Sequence, residues 1–417
     1  MALLHSSTAP AALSCLELFR LAETQTGVTK IYTTDLPPTY SQSGSVYQFM
    51  MTGDSPDYLV LNMMKLVGKY RIVHADGSPL VQNELAVPIN LLMQTAWKQI
   101  DLTLGNMIIS HPQQMFPWKA IINFLLMTSE ETKNTQGASQ GYYKDSAGEM
   151  DTVAADESAI LSKLNLCQLS KWVDFEGAPL EDCASMPRFI LNNVKFGLKL
   201  TRASDEFCIL AADQTKAYKL EFCDLKLRMC WASVSSGVLL GHHEALKHAN
   251  ALYPFTRVEM MNHSVPAGDS NVTLYNICTK SVPSRLVVGM VTAEAYNGSF
   301  QKNPFNFQHF HVSNISLVVN ESIVGGQPLV TNFDPVNANG RDYVTAYNNM
   351  FSSTGTDGTN FGNNIKIEEF PEGYALFCFN LEPFAQGKFL NLIRTGFVRL
   401  SLQFAKPLTE TIVIIIY

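Results

Sequence analysis

Residues 100–108, Ile100-Asp101-Leu102-Thr103-Leu104-Gly105-Asn106-Met107-Ile108, and residues 315–323, Ile315-Ser316-Leu317-Val318-Val319-Asn320-Glu321-Ser322-Ile323, share one apolar pattern. Ile100, Leu102, Leu104 and Ile108 have the same spacing as Ile315, Leu317, Val319 and Ile323. Alternation of period two sends every second side chain to one face of a strand. Each set leads through a loop into a segment of helical period. Trp118, Ile121, Ile122 and Leu125 recur at that spacing after Pro117, a residue suited to a first helical turn. Tyr343, Ala346, Tyr347 and Met350 repeat it after Asp342, which predicts a capped helix. Further on, Arg188-Phe189-Ile190-Leu191-Asn192 is echoed by Lys388-Phe389-Leu390-Asn391. Each leads into an alternating strand, Phe196, Leu198 and Leu200 in one case and Val398, Leu400 and Leu402 in the other. The same order therefore occurs twice, at an offset of roughly 200 to 225 residues, which is a domain repeat rather than a solenoid.

The rest of the chain reads as short strands. Apolar or alternating runs occupy Tyr58 to Val73, Ala96 to Ser110, Val194 to Leu200, Tyr218 to Trp231 and Arg285 to Val291. They continue at Val312 to Val319, Tyr374 to Leu381, Phe397 to Phe404 and Thr411 to Tyr417. Most are bounded by Gly, Pro, Asn or Asp, and the pattern predicts an all-β sandwich or barrel. Helical period is brief: beyond the two segments above, Leu13 to Ala22 and Gly241 to Leu252 fit short helices. The boundary between the repeats falls near residues 232–252. Two long polar segments, Thr128 to Ser158 and Ser352 to Asn364, each follow the helix of their half, which places both on one face. Ile412 to Ile416 is an unbroken aliphatic run, so that strand is expected to be buried on both faces.

With 417 residues the chain has room for two domains of ordinary size. Hydrophobic residues make up 46% and charged ones 16%, enough for two cores and too few charges for a disordered chain. The net charge of −7, without a cluster of Lys or Arg, argues against a direct nucleic-acid site. The eight cysteines form no Cys-x-x-Cys pair and are expected to be free thiols. Residues 1–10 lack the features of a signal peptide, and no run reaches the roughly 20 apolar residues of a membrane span. The expectation is a soluble protein made inside the cell. Sequons at Asn262, Asn271, Asn297, Asn314 and Asn320 then read as an Asn-rich loop surface rather than as glycosylation sites.

Chemistry-bearing patterns are weak. His309-x-His311 has a spacing that strands use for metal ligation, but no third ligand follows at a typical distance. His242, His243 and His248 fall in the expected connecting helix and read as a solvated surface. The acidic pairs Glu130-Glu131 and Glu368-Glu369 lack the apolar setting that turns a carboxyl into a general acid. Gly-x-Ser-x-Gly, a phosphate-binding loop and His-Glu-x-x-His are all missing. No catalytic, cofactor-binding or metal-ligating residue is assigned, no cofactor is expected, and the chain reads as a non-enzyme.

Tyr253-Pro254-Phe255-Thr256-Arg257-Val258-Glu259 opens the second half. Val287-Val288-Gly289-Met290-Val291, Ala295-Tyr296-Asn297-Gly298-Ser299-Phe300 and Lys302-Asn303-Pro304-Phe305-Asn306-Phe307 follow it. Later come Tyr343-Val344-Thr345-Ala346-Tyr347 and Gly373-Tyr374-Ala375-Leu376-Phe377, and the first half carries Tyr142-Tyr143-Lys144-Asp145-Ser146-Ala147-Gly148. This ordered series resembles the hexon-like major capsid proteins of Polinton (Maverick) elements and adintoviruses. The resemblance implies an all-β chain of two tandem jelly-roll β-sandwiches, a double jelly roll, with short helices in the loops. It implies an N-terminal arm at 1–39, a first jelly roll at 40–235, a linker helix at 236–252 and a second jelly roll at 253–417. Its partners would be itself, as a homotrimer of pseudo-hexagonal outline, then neighbouring capsomers and the penton and minor capsid proteins of an icosahedral DNA-virus shell. It would reside in the virion capsid, assembled inside the host cell. A trimeric receptor- or glycan-binding β-sandwich is the alternative.

Overall fold

The computed structural model describes residues 7, 14–16, 18–19, 21, 23–42, 44–154, 156–278, 281–334, 336, 340–382 and 392–417. Among them, the main strands of the first half are β1 (Val28–Leu36), β2 (Val46–Met51), β3 (Lys65–His74) and β4 (Trp97–Leu104). They continue as β5 (Met107–Ile108), β6 (Val173–Gly177), β7 (Phe196–Arg202) and β8 (Tyr218–Val234). The second half supplies β9 (Met261–Val265), β10 (Asn271–Leu274), β11 (Arg285–Thr292), β12 (Val312–Val319) and β13 (Ser322–Ile323). It ends with β14 (Phe377–Asn380), β15 (Val398–Phe404) and β16 (Ile412–Ile416).

The two halves have one topology. In the first, the sheets run β1-β8-β3-β6 and β2-β7-β4-β5; in the second, β9-β16-β11-β14 and β10-β15-β12-β13. Adding eight to each strand number of the first half gives the second. Each half is thus a pair of antiparallel four-stranded sheets whose strands cross repeatedly from one sheet to the other. Short extra strands, such as Tyr40–Gln42 on β2, extend these sheets, while Ala86–Pro88 with Ile209–Ala211 and Phe307–Gln308 with Glu372–Gly373 form separate two-stranded sheets.

The alternation in residues 100–104 and 315–319 explains the sandwich. Ile100 and Leu102 of β4 face inward beside Leu200 and Leu198 of β7, with Asp101 and Thr103 on the other face. Ile315 and Leu317 of β12 lie opposite Leu402 and Leu400 of β15 in the same manner. The run Ile412–Ile416 is buried throughout, paired on one side with β9 and on the other with β11, which accounts for its lack of alternation. Both cores belong to one continuous apolar cluster.

The helices follow the repeat as well. α1 (Phe116–Met127) lies between β5 and β6, and α4 (Val344–Thr354) lies between β13 and β14. α2 (Ser158–Cys167) precedes β6, and α3 (Ser236–Leu246) connects the halves.

Several sequence expectations are corrected. The connecting helix lies at Ser236–Leu246 rather than 241–252, because β8 runs on to Val234 and the chain turns into the helix at Ser235. Asp342 does not cap α4: its backbone N–H and C=O are both bonded to Asn332, and Tyr343 holds the capping position. Asn262, Asn271 and Asn314 stand in strands β9, β10 and β12 rather than in loops. Residues 28–36, expected within an N-terminal arm, form β1 and pair along their length with β8. Of the helix expected over Leu13 to Ala22, the described residues show one 3-10 turn, Ser14–Leu16; Leu13, Glu17, Arg20 and Ala22 lie outside them, as do Lys388 to Asn391 of the repeat.

Candidate functional site at the seam between the two halves

The groups that bring distant parts of the chain together are concentrated where the two sandwiches meet. α1 sits in this seam. Its sequence predicts one apolar face, yet ten of its twelve residues are buried, as expected for a helix covered on all sides. Trp118 stacks on Tyr296 with ring centroids 4.6 Å apart and planes inclined by 14°, and its Nε1–H donates to the Pro304 carbonyl at 3.3 Å. Phe207 meets Trp118 edge-on at 5.1 Å and Phe305 at 6.1 Å. Two backbone positions of the second half come close to first-half side chains or backbone. Gly298, at φ +101°, would place a Cβ 3.1 Å from the Phe207 nitrogen; Gly373, at φ +112°, would place one 2.5 Å from the Met150 sulfur. Both need glycine for conformation and for space.

Buried charges in the seam are held by partners from both halves. Lys119 of α1 lies 3.2 Å from Glu181 and 2.9 Å from Asp182, and Asp182 accepts the Val258 N–H at 2.8 Å. Burial pulls the Lys119 pKa down, but the two carboxylates beside it prevail and hold it above the ordinary value. Asp145 accepts from Lys163 Nζ at 3.1 Å and, with its other oxygen, from Asn303 Nδ2 at 3.1 Å. The Tyr374 hydroxyl donates to the Asp145 carbonyl at 2.7 Å, and burial raises its pKa well above the usual phenol value. Asp151 accepts the Asn303 N–H at 2.8 Å and pairs with Lys302 at 3.2 Å.

The two polar segments meet on one face. The Glu130 N–H donates to the Gly362 carbonyl at 2.9 Å, and Lys144 pairs with Glu369 at 2.6 Å. Lys133 is almost wholly buried between them. Its Nζ donates to the Leu125 carbonyl in the last turn of α1 at 2.7 Å and to the Asn363 carbonyl at 2.5 Å. Both partners are carbonyls, and burial, with Lys144 nearby, lowers its pKa from 10.5 to about 7. Sequence reasoning passed over these lysines, since nothing local distinguishes a buried lysine from a solvated one.

The residues weighed as chemistry lie apart. His309 stacks on Phe333 at 4.1 Å, and its Nδ1 accepts the His311 N–H at 2.9 Å. Burial, then His311, lowers its pKa to about 4, so the imidazole is neutral. His242 Nδ1 is 2.9 Å from the Tyr58 hydroxyl, while His248 is exposed beside Glu244. Glu369 is the Lys144 partner and Glu130 a first-turn residue of a short helix. Burial pushes the thiols of Cys167, Cys183, Cys208 and Cys378 up to about 12, the opposite of an activated nucleophile. Among the described residues no three His, Cys, Asp or Glu side chains are grouped so as to hold a metal ion, and no helix is long and apolar enough to cross a membrane. What the seam does physically is lock two sandwiches into one unit.

No family model matches the chain. A Caenorhabditis elegans protein, "Uncharacterized protein F54H12.2", is 26% identical over 378 residues, covering 88% of this chain and 87% of its own. Among solved structures the chain is similar to one from the Sputnik virophage determined by cryo-EM, with a TM-score of 0.62 and 11% identity over 98% of this chain and 90% of that one. It is similar to a chain of the PBCV-1 virus capsid, with a TM-score of 0.55 and 8% identity over 95% of each. The Faustovirus major capsid protein gives 0.53 and 8% over 96% of this chain and 91% of that one. At these identities the likeness establishes the fold: the chain is a double jelly roll, all-β, with short helices in its loops.

Proposed function

We propose that this chain is the major capsid protein of an icosahedral DNA virus or virus-like element, working as a homotrimeric capsomer and not as an enzyme. The observation that carries the reading is the pair of jelly rolls with identical strand order, locked by a buried seam. Three such chains around a threefold axis present six similar sandwiches, so a closed trimer acquires a nearly hexagonal outline that can tile a shell. The fold shared over nearly the full length with a chain of the Sputnik virophage and with capsid chains of PBCV-1 and Faustovirus supports it. The relative in a nematode, matched across most of both chains, supports an element of Polinton or adintovirus type.

The chain would divide into a first roll ending at residue 235, a linker at 236–252 and a second roll from 253, with β1 taking part of the 1–39 arm into the first roll. The joined polar segments near Lys133 and Lys144 would form the outward projection. Neighbouring capsomers, penton and minor proteins would be its partners in the virion. With a net charge of −7 it leaves genome condensation to another, basic component.

Light scattering on the purified chain, with negative-stain images of the same fraction, tests the proposal. Three chain masses and pseudo-hexagonal particles support it. A stable monomer that never assembles, or one that binds glycans instead, overturns it.

A further inference from the structure

Lys163 and Asn303 approach one carboxylate from different halves of the chain. Lys163 stands on α2 in the first half, and Asn303 lies between β11 and β12 in the second. Asp145 bridges them: one of its oxygens is 3.1 Å from Lys163 Nζ and the other is 3.1 Å from Asn303 Nδ2. Lys163 and Asn303 are each 1% exposed and Asp145 is 8% exposed, so water has little access to the three.

The hydrogen bonds of this group do not balance. An ammonium carries three N–H donors and a carboxamide nitrogen two. Among the described residues, Asp145 is the one acceptor for Lys163 Nζ and also the one acceptor for Asn303 Nδ2. Lys119, by contrast, faces two carboxylates. Unpaired N–H groups inside a protein are costly, and a buried ion pair adds a desolvation cost of its own. An amide joining the two side chains would carry a single N–H and no charge.

The same contacts supply the chemistry of that amide. Proton transfer within the Lys163–Asp145 pair yields the neutral amine that attack requires, and Asp145 also touches the nitrogen that must leave. The Phe305 N–H donates to Asn303 Oδ1 at 3.0 Å, which polarises the carbonyl and would stabilise the oxyanion formed on attack. Both nitrogens rest on one carboxylate, so amine and carboxamide are held as neighbours before they react.

We propose that Lys163 and Asn303 become joined by an intramolecular isopeptide bond, with Asp145 as its catalytic residue. Lys163 Nζ bonds to Asn303 Cγ, and the bond from Cγ to Nδ2 breaks. The ammonium, carboxylate and carboxamide become a secondary amide, a neutral carboxylic acid and one ammonia, so neither oxidant nor reductant is needed. The hydrogen-bonded arrangement described above is the state before reaction. The product ties the first roll to the second covalently, whatever the chain assembles into.

The purified natural chain is denatured, its intact mass measured and its tryptic peptides mapped. The expected mass lies about 17 Da, one ammonia, below that of the sequence after the N-terminal processing seen in the same map. The map should contain a branched peptide joining residue 163 to residue 303, with no cut after Lys163. Asn303→Ala removes the electrophile and Asp145→Asn the proton carrier, and both should lose the branched peptide. A natural chain of full mass, with separate linear peptides for Lys163 and Asn303, overturns the bond, and that reading needs no variant to fold. A branched peptide that survives Asp145→Asn overturns the part given to Asp145.

Discussion

Trp118 of the first half lies flat on Tyr296 of the second, 4.6 Å between ring centroids, with its indole N–H spent on the carbonyl of Pro304. One side chain thus contributes apolar area, ring stacking and a hydrogen bond to the contact between two sandwiches. The two rolls are expected to unfold as one cooperative unit because of contacts of this kind.

Trp118→Ala should therefore cost about 3–5 kcal/mol, the usual penalty for emptying a buried aromatic site. Urea unfolding followed by both fluorescence and circular dichroism should change from one transition to two as the rolls uncouple. Trp118→Phe, which keeps most of the ring, should retain a single transition.

Lys133 makes stability depend on pH in a direction opposite to that of an ion-paired lysine. Its pKa falls from 10.5 to about 7 on folding, so between those values the unfolded chain holds a proton that the folded chain lacks. Stability then rises with pH across that window, by at most about 1.4 kcal/mol per pH unit, and is flat with respect to this group below pH 7. Lys133→Met removes the titration. The stability of the natural chain relative to this variant should increase from pH 7 to pH 9.5, as read from paired denaturant titrations. A constant difference would show that Lys133 is not held neutral.

Lys163 and Asp145 test the buried pairing in the seam. Lys163→Met leaves the Asp145 carboxylate with Asn303 as its remaining side-chain partner here, and should destabilise by about 3–5 kcal/mol. Lys163→Met combined with Asp145→Asn should recover part of that loss in a double-mutant cycle.

Gly298→Ala and Gly373→Ala combine a left-handed backbone with a Cβ in contact with Phe207 or Met150. Each should lower stability by about 1–3 kcal/mol. Gly268→Ala has a similar φ of +94° and nothing within 4 Å, so it should cost less. Melting temperatures of the three variants separate the steric part from the conformational part.

Thiol labelling gives a check on burial. At pH 8 and native conditions Cys15 should react readily, whereas Cys167, Cys183, Cys208 and Cys378, with pKa values pushed up to about 12, should react only after unfolding.

Much of the architecture is legible in local pattern. The β4 and β12 alternations, the α4 period and the unbroken run of β16 state their burial in the order of their residues, the α1 period shows the helix but not that it is covered on all sides, and the duplication is visible because it repeats that order. Strands β1, β9 and β10 escape such reading. They are short or exposed, and Met261–Val265 has one buried residue in five, so partner strands rather than their own side chains make them strands. The His309-x-His311 spacing is similarly silent about the Phe333 ring that covers His309.

Composition and periodicity by themselves determined an all-β chain built twice over with short helices in its loops, because strand and helix periods are local properties of side-chain order. Tertiary structure alone decided that Lys133 meets Asn363 across 230 residues, that Trp118 faces Tyr296, and that α3 opens onto a groove. Those relationships depend on how two sandwiches are set against each other. Desolvation and contact arise only when distant segments share a space, and the linear order carries no local signal for them.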